Sequence, residues 1–322
     1  MVTSRPKLYD LLRKKIPDHR IQMGKKVLRT VETKGRVAVY CSDNTIYDCK
    51  IVVGADGAYS AVRQNMYKQL DKEGKLPLRD KEDFSIGHIT MVGVAIPPNP
   101  EVYPELKDDR VHFRLMVGDH NESLYVVSTP NNQLCWGLTT QIPLSKAKEL
   151  QFRNSEWGPE SVENMLKEYQ DLPCTFGGTM KDLFDATPKH LFLPGAGQGA
   201  VMAMKDAVIL ANCLYNMEDY SAENVTGAFN SYYKQRYADA KAQFKDSVFM
   251  SKIMFGQKWL DRLLRHLVIN YIPDWLMQKK HNEGLAYRPQ INWLPLAEIR
   301  GVAVLLPQVG RSEATLKASR TT

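Results

Sequence analysis

Two stretches of the chain hold residues whose types and spacing suit chemistry. The first is Gly54-Ala-Asp-Gly-Ala-Tyr-Ser-Ala-Val-Arg63, in which Gly54 and Gly57 bracket the carboxylate of Asp56. Gly57 lets a ligand approach the backbone, and Asp56 can accept hydrogen bonds from sugar-like hydroxyls. Arg63 can hold Asp56 in place or reach a phosphate. The second is Leu193-Pro-Gly-Ala-Gly-Gln-Gly-Ala200, where Gly195, Gly197 and Gly199 fall within five residues ahead of a long apolar run. Glycines at a helix start expose backbone N–H groups, and the positive end of the helix dipole adds to them, so this stretch suits an anion. On the residues alone, each stretch also reads as a plain turn into a helix, because short glycine motifs have a real false-positive rate.

The elements needed to position these stretches are legible nearby. Ile51, Val52 and Val53 form a β-branched run, predicted as a buried strand leading into Asp56. Ser60 stands where a helix N-cap is wanted. A strand, a glycine-flanked carboxylate and a capped helix make a site at the carboxyl end of a sheet, where open α/β folds bind ligands. Upstream, residues 5–16 read as a helix with Leu8, Leu11, Leu12 and Ile16 on one stripe, ended by Pro17. Arg5, at its start, reads by itself as an exposed arginine. Strands are predicted at 26–32, 36–41 and 47–53, with turns at Lys34-Gly35 and Ser42-Asp43-Asn44. After a polar, lysine-rich stretch at 65–81 come strand-like segments at 84–96, 111–117, 124–128 and 135–141, which suggest an antiparallel sheet. His88, His112, Tyr125 and Trp136 on that sheet either fill its interface with the core or line a pocket. A polar helix is predicted at 158–170. Residues 201–215 read as a helix apolar nearly all round and therefore buried. Helix then continues from Glu223 to about Met277. In it Phe249, Ile253, Leu260, Leu263, Leu264, Leu267 and Tyr271 form a stripe flanked by Lys252, Lys258, Arg262 and Arg265, with Trp259 and Trp275 nearby. Such a face packs on the domain or a partner subunit, or lies on a membrane surface.

Composition sets the class. The 322 residues, 43% hydrophobic and 25% charged, suit a globular chain of one or two domains. The net charge of +7 is spread rather than gathered into a basic, aromatic-rich block, which disfavours nucleic acid as a partner. The five cysteines, Cys41, Cys49, Cys135, Cys174 and Cys213, are odd in number and scattered, which argues against a zinc site or a disulfide framework. With no apolar leader in the first residues and no run long enough to span a bilayer, the expectation is a cytoplasmic protein, with peripheral membrane contact through 249–277 as an added option.

The Asp56 stretch resembles the Asp-Gly motif of the single-component flavin monooxygenases, the aromatic hydroxylase superfamily. Pro194-Gly-Ala-Gly-Gln-Gly199 with Lys205-Asp206-Ala207 resembles the third flavin motif of the same family. Arg5-Pro-Lys-Leu-Tyr-Asp-Leu-Leu12 is similar to the family's Arg-x-x-Leu helix. The closest likeness is to the fungal branch acting on terpenoid and indole-diterpene substrates. The resemblance implies FAD as cofactor, NADPH or NADH as reductant and a hydrophobic small-molecule substrate held under the sheet. It also implies flavin contacts from Arg5, Asp56, Gly57, Arg63, Pro194, Gly195, Gly197, Gln198 and Gly199. No side chain is singled out as a catalytic acid, base or nucleophile. The implied fold is α/β (α+β): a partial FAD-binding three-layer domain, an antiparallel substrate-domain sheet and a helical C-terminal region. The implied division is a partial FAD domain at 1–80, the substrate sheet at 81–180, an FAD-domain return at 181–220, helices at 221–289 and a poorly ordered tail at 290–322.

Two departures qualify the resemblance. No Gly-x-Gly-x-x-Gly occurs for a cofactor pyrophosphate, and no Gly-Asp precedes Leu193. The expectation is a truncated chain that is either part of a working monooxygenase or a non-catalytic remnant holding FAD weakly or not at all.

Overall fold

The computed structural model describes residues 5–33, 35–57, 60–81, 87–108, 110–118, 122–142, 163, 166–191, 193–194, 197–256, 258–273, 275–276, 279 and 289–294. The chain forms two compact units, Met1–Ser85 with Glu218–Val225, and Ile86–Met217 with Thr226–Thr322. Together they mix helices with antiparallel sheets, the α+β class expected from the sequence.

In the first unit, helix α1 (Arg5–Arg13) precedes a three-stranded antiparallel meander, β1 (Val27–Thr33), β2 (Arg36–Cys41) and β3 (Ile46–Cys49). The polar turn 42–45 closes β2 onto β3. Asn44 takes a positive φ there, and the Asp43 carboxylate accepts from the Thr45 amide at 3.2 Å and from Lys25 Nζ. Helix α2 (Ala61–Lys72) follows, and Asn65 Nδ2 donates to Leu28 O of β1 at 3.3 Å. The strand expected at 51–53 is not formed: β3 ends at Cys49, and Val53 is exposed. A β-branched run becomes a strand only where a neighbouring ladder takes its amides, and 51–53 is paired with none of the described strands.

The second unit is built on a five-stranded antiparallel sheet ordered β5 (Phe113–Val117), β6 (Glu122–Thr129), β7 (Gln133–Gln141), β4 (His88–Ala95) and β8 (Leu193–Pro194). Residue alternation sends Met91, Leu124, Val126, Leu134, Trp136 and Leu138 to one face. There they pack with Cys174, Phe176, Met180, Leu183 and Phe184, from helix α3 (Met180–Asp185) and the segment before it. Two glycines in the strands make room for rings across the sheet. A Cβ on Gly93 would fall 2.4 Å from the Trp136 ring on the core face. One on Gly137 would fall 2.1 Å from the Tyr125 ring on the other face.

Helix α4 (Gly197–Tyr215) leaves the sheet edge through β8 and packs on α5 (Ala222–Phe255) through Ile209, Cys213 and Ala228. The expectation of a helix buried all round is corrected here: Ile209 and Cys213 are buried, but Val201 is 43% and Met204 41% exposed. Its apolar residues outnumber those that one packing stripe uses. Beyond Gly256 the chain turns into α6 (Trp259–Tyr271). Residues 289–294 are tied to α4: Asn212 bonds Gln290 O at 2.8 Å and the Asn292 amide at 2.9 Å, while Trp293 stacks on Tyr215 with centroids 4.2 Å apart. Of the helix predicted at 158–170, residues 163 and 166–169 are helical, residue 170 is a turn, and the remainder lies outside the described residues.

Candidate flavin site

The Asp56 turn is organised by the helix it precedes. Ser60 caps α2, its Oγ accepting from the Arg63 amide at 3.0 Å, as its place in the sequence predicts. Asp56 shares the task, with Oδ2 accepting from the Ala61 amide at 2.6 Å and from the Val62 amide at 3.4 Å. A carboxylate against free helix-start amides is also favoured by the helix dipole. Partial burial pushes the Asp56 carboxyl up. Hydrogen bonds from Ser60 and the backbone amides outweigh it, so the group sits below the usual carboxylate range and is an anion at neutral pH. Gly57 takes φ +80, the left-handed region that favours glycine. A Cβ there would meet nothing within 4 Å, which leaves the space beside Asp56 open to a ligand. Arg63 is half-buried in the first turn of α2. Arg5 begins α1 in the same unit.

In the second unit, β8 anchors the entry to the glycine stretch, with Pro194 opposite Met91 and Leu193 opposite Val92 of β4. Gly197, Gln198 and Gly199 form the first turn of α4, so the helix begins earlier than the apolar run suggested. Gly195 lies outside the described residues. Gly199 is exposed, and a Cβ on it would meet nothing within 4 Å. The amides of this helix start are therefore not screened by a side chain at Gly199. Asp56, Gly57, Arg63 and Arg5 thus belong to one unit, and Pro194, Gly197, Gln198 and Gly199 to the other.

Sequence reasoning missed the group that fixes the direction of α4. Arg236 of α5 is 3% exposed. Its Nε donates to Asp206 Oδ1 at 2.6 Å, its Nη1 donates to Asp239 Oδ2, and its Nη2 lies 3.4 Å from Met202 Sδ. Met202 and Asp206 sit in the first turns of α4 after Gly199, so one guanidinium grips the helix just behind its glycine start. Nothing in the sequence separates Arg236 from the other basic residues of α5.

The sheet residues divide as follows. Trp136 is fully buried on the core face, where its Nε1 donates to Thr187 Oγ1 at 2.9 Å and its ring packs 4.8 Å from that of Phe184; it is a core residue. The His112 amide donates to Ser128 Oγ at 2.8 Å, and its Nε2 lies 3.1 Å from Asp108 Oδ2. His88 packs against Phe255 of α5 with the rings tilted at 45° and centroids 4.4 Å apart, and burial pushes its imidazole below the usual range. Tyr125 lies over Gly137 and stacks on Phe113 with centroids 5.9 Å apart; burial pushes its phenol up to about 12. Phe113 and Leu115 share that face and are exposed, giving an aromatic and aliphatic surface opposite the core. Among the described residues no group of three or more His, Cys, Asp or Glu is placed to hold a metal.

Known proteins of similar sequence and fold are flavin enzymes. No family model matches the chain. It is similar to the FAD-dependent monooxygenase esdpE of Penicillium shearii, 23% identical over 335 residues that cover 92% of this chain and 66% of the relative. It is likewise 23% identical to the FAD-dependent monooxygenase ausM of Penicillium brasilianum, over 93% of this chain and 68% of the relative. The chain thus spans about two thirds of the length of these curated relatives. Among solved structures, HpxO of Klebsiella pneumoniae, complexed with FAD and uric acid, shares the fold with a TM-score of 0.61 at 16% identity, over 88% of this chain and 71% of that one. The 2,6-dihydroxypyridine-3-hydroxylase of Arthrobacter nicotinovorans aligns with a TM-score of 0.54 at 17% identity, over 79% and 70%. Nearly the whole chain is thus similar in sequence to FAD-dependent monooxygenases, and its fold is shared with flavin hydroxylases.

Proposed function

We propose that the chain forms the flavin-holding and substrate-facing parts of an FAD-dependent monooxygenase. It would use NADPH or NADH to hydroxylate or epoxidise a hydrophobic organic substrate. The balance is substrate, O2, NAD(P)H and a proton giving oxygenated substrate, water and NAD(P)+. The observation that carries the reading is the pair of flavin-type stretches, each with open space where an FAD would approach. Gly57 lies beside an ionised Asp56, and Gly199 opens the first turn of α4.

FAD when bound supplies the activation of oxygen, while the protein supplies placement, electrostatics and exclusion of water. Asp56 and the Gly57 backbone would take the cofactor's sugar-like chain, with Arg5 and Arg63 toward its phosphate or ribityl part. The stretch of Pro194, Gly195, Gly197, Gln198 and Gly199 would face the ring edge that becomes negative on reduction, where amide donors and the dipole of α4 stabilise that charge. The exposed face of Phe113, Leu115 and Tyr125 would meet an apolar substrate. On this reading the flavin domain comprises residues 1–80 with 181–220, and the substrate sheet 81–180.

A second reading is favoured by one specific observation. The sequence contains no Gly-x-Gly-x-x-Gly, the loop that supplies donors to a pyrophosphate, and no Gly-Asp before Leu193. On this second reading the chain is a non-catalytic remnant that binds FAD weakly or not at all. FAD-dependent oxidation of NADPH or NADH, followed with an oxygen electrode in the presence of a panel of terpenoid-like and indole-like substrates, separates the two. Consumption of reductant and oxygen that requires both FAD and chain supports the monooxygenase. Flavin lost on desalting, with no consumption across the panel, supports the remnant.

A further inference from the structure

Helix α6 is amphipathic with its apolar side turned outward. Trp259, Leu260, Leu263, Leu267 and Tyr271 fall on about one third of the helix circumference at 3.6 residues per turn. All five are exposed, Trp259 at 72% and Leu263 and Leu267 at 46% each. Trp275 and Leu276 extend the exposed apolar surface past the end of the helix. Half-buried Asp261, Arg265 and Val268 are on the other side, with half-buried Leu264 at the edge of the stripe. Arg265 fastens that side to the unit, donating to Met254 O at 3.3 Å and Gly256 O at 2.8 Å, the carbonyls at the end of α5. The orientation of α6 is therefore set by its inner side, and the outer apolar stripe is left facing solvent. An exposed contiguous patch of this kind marks an interaction surface.

We propose that this stripe lies in the surface of an anionic lipid bilayer, with α6 parallel to the membrane plane. Charge complementarity selects this occupant. The exposed cations Lys258 and Arg262 stand at the Trp259 end of the stripe, against the single half-buried acid Asp261 on the helix. Cations beside an apolar stripe fit acidic headgroups over an acyl boundary. The aromatic residues stand at the two ends, Trp259 at one and Tyr271 with Trp275 at the other, and such rings favour the interface between headgroup and hydrocarbon. A second copy placed on the same stripe would gather like charges along one seam. No helix among the described residues is long and apolar enough to cross a membrane, so the contact is an in-plane one. It stands apart from flavin binding and is tested without it.

The test is co-sedimentation of the purified chain with vesicles of phosphatidylcholine alone and of phosphatidylcholine mixed with phosphatidylserine, with tryptophan fluorescence read in parallel. The expected result is binding to the phosphatidylserine vesicles with a blue-shifted emission, weakened by high salt and weaker on phosphatidylcholine alone. The double substitution L263E/L267E, at exposed positions, keeps helical circular dichroism and the thermal midpoint while cutting vesicle affinity by at least about tenfold. Failure of the wild-type chain to sediment with phosphatidylserine vesicles overturns the proposal. So does equal binding by wild type and the folded L263E/L267E variant. A concentration-dependent dimer in analytical ultracentrifugation that this variant abolishes, in a chain that ignores vesicles, assigns the stripe to a second copy and also overturns it.

Discussion

Asp56 and Gly199 are the residues on which the proposed site turns, and each makes a prediction with a defined sign. Asp56 is held ionised by the amides at the start of α2, so its pKa lies lower in the folded chain than in the unfolded one. Its contribution to stability is then complete above the usual carboxylate range and is lost as pH falls through the folded value. Substituting Asp56→Asn leaves a polar cap without the charge. The expected result is a loss of roughly 1 kcal/mol in α2 stability at neutral pH and weaker FAD binding, while the acid-side dependence of the melting temperature flattens. Gly199 should respond in opposite directions in two assays. A side chain there meets nothing within 4 Å, and leaving glycine gains helix propensity of roughly 0.5–1 kcal/mol. Gly199→Leu is therefore expected to hold or raise the melting temperature while lowering FAD affinity by at least about tenfold, because the side chain stands where the ligand would approach. A variant that keeps full affinity removes the helix start from the site.

At the scale of elements, what matters is how α4 is aimed. Its glycine start is tethered at one end by β8 on the edge of β4, and from behind by Arg236 reaching Asp206 and Met202. Replacing Arg236 by Met leaves Asp206, which is partly exposed, to be rehydrated. The loss is accordingly placed at about 1–3 kcal/mol, below the value for a wholly buried pair. Chemical denaturation measures it, and Arg236→Lys should recover only part, since a point charge cannot span two carboxylates as a planar fork does. The sheet makes its own prediction. Gly137→Ala drives a methyl into the Tyr125 ring, with an expected cost of about 1–3 kcal/mol in the same assay. The limits of sequence reading also lie at this scale. The Ser60 cap, the β1–β2 meander and strands β4 to β7 were legible because capping chemistry, turn residues and alternation are local signals. The run at 51–53 was misread because β-branched residues state a preference while a strand needs a partner. The burial of α4 was overestimated because apolar content gives no account of which side meets a neighbour. Arg236 was missed because Asp206 and Met202 lie 30 and 34 residues away in sequence, on another helix.

For the whole molecule, the two flavin-type stretches lie in different units of one chain that spans about two thirds of its monooxygenase relatives. The flavin-type motifs resemble those of the flavin monooxygenases, and the chain's curated relatives are named FAD-dependent monooxygenases. The flavin residues and substrate class rest on the chemistry of Asp56, the α4 start and the sheet face. The decisive measurement is the visible absorption spectrum of the folded chain after incubation with excess FAD and desalting. The account predicts retained flavin bands, shifted from those of free FAD, that are diminished in both Asp56→Asn and Gly199→Leu. A flat spectrum from protein with intact circular dichroism would contradict the claim that these two stretches hold a flavin.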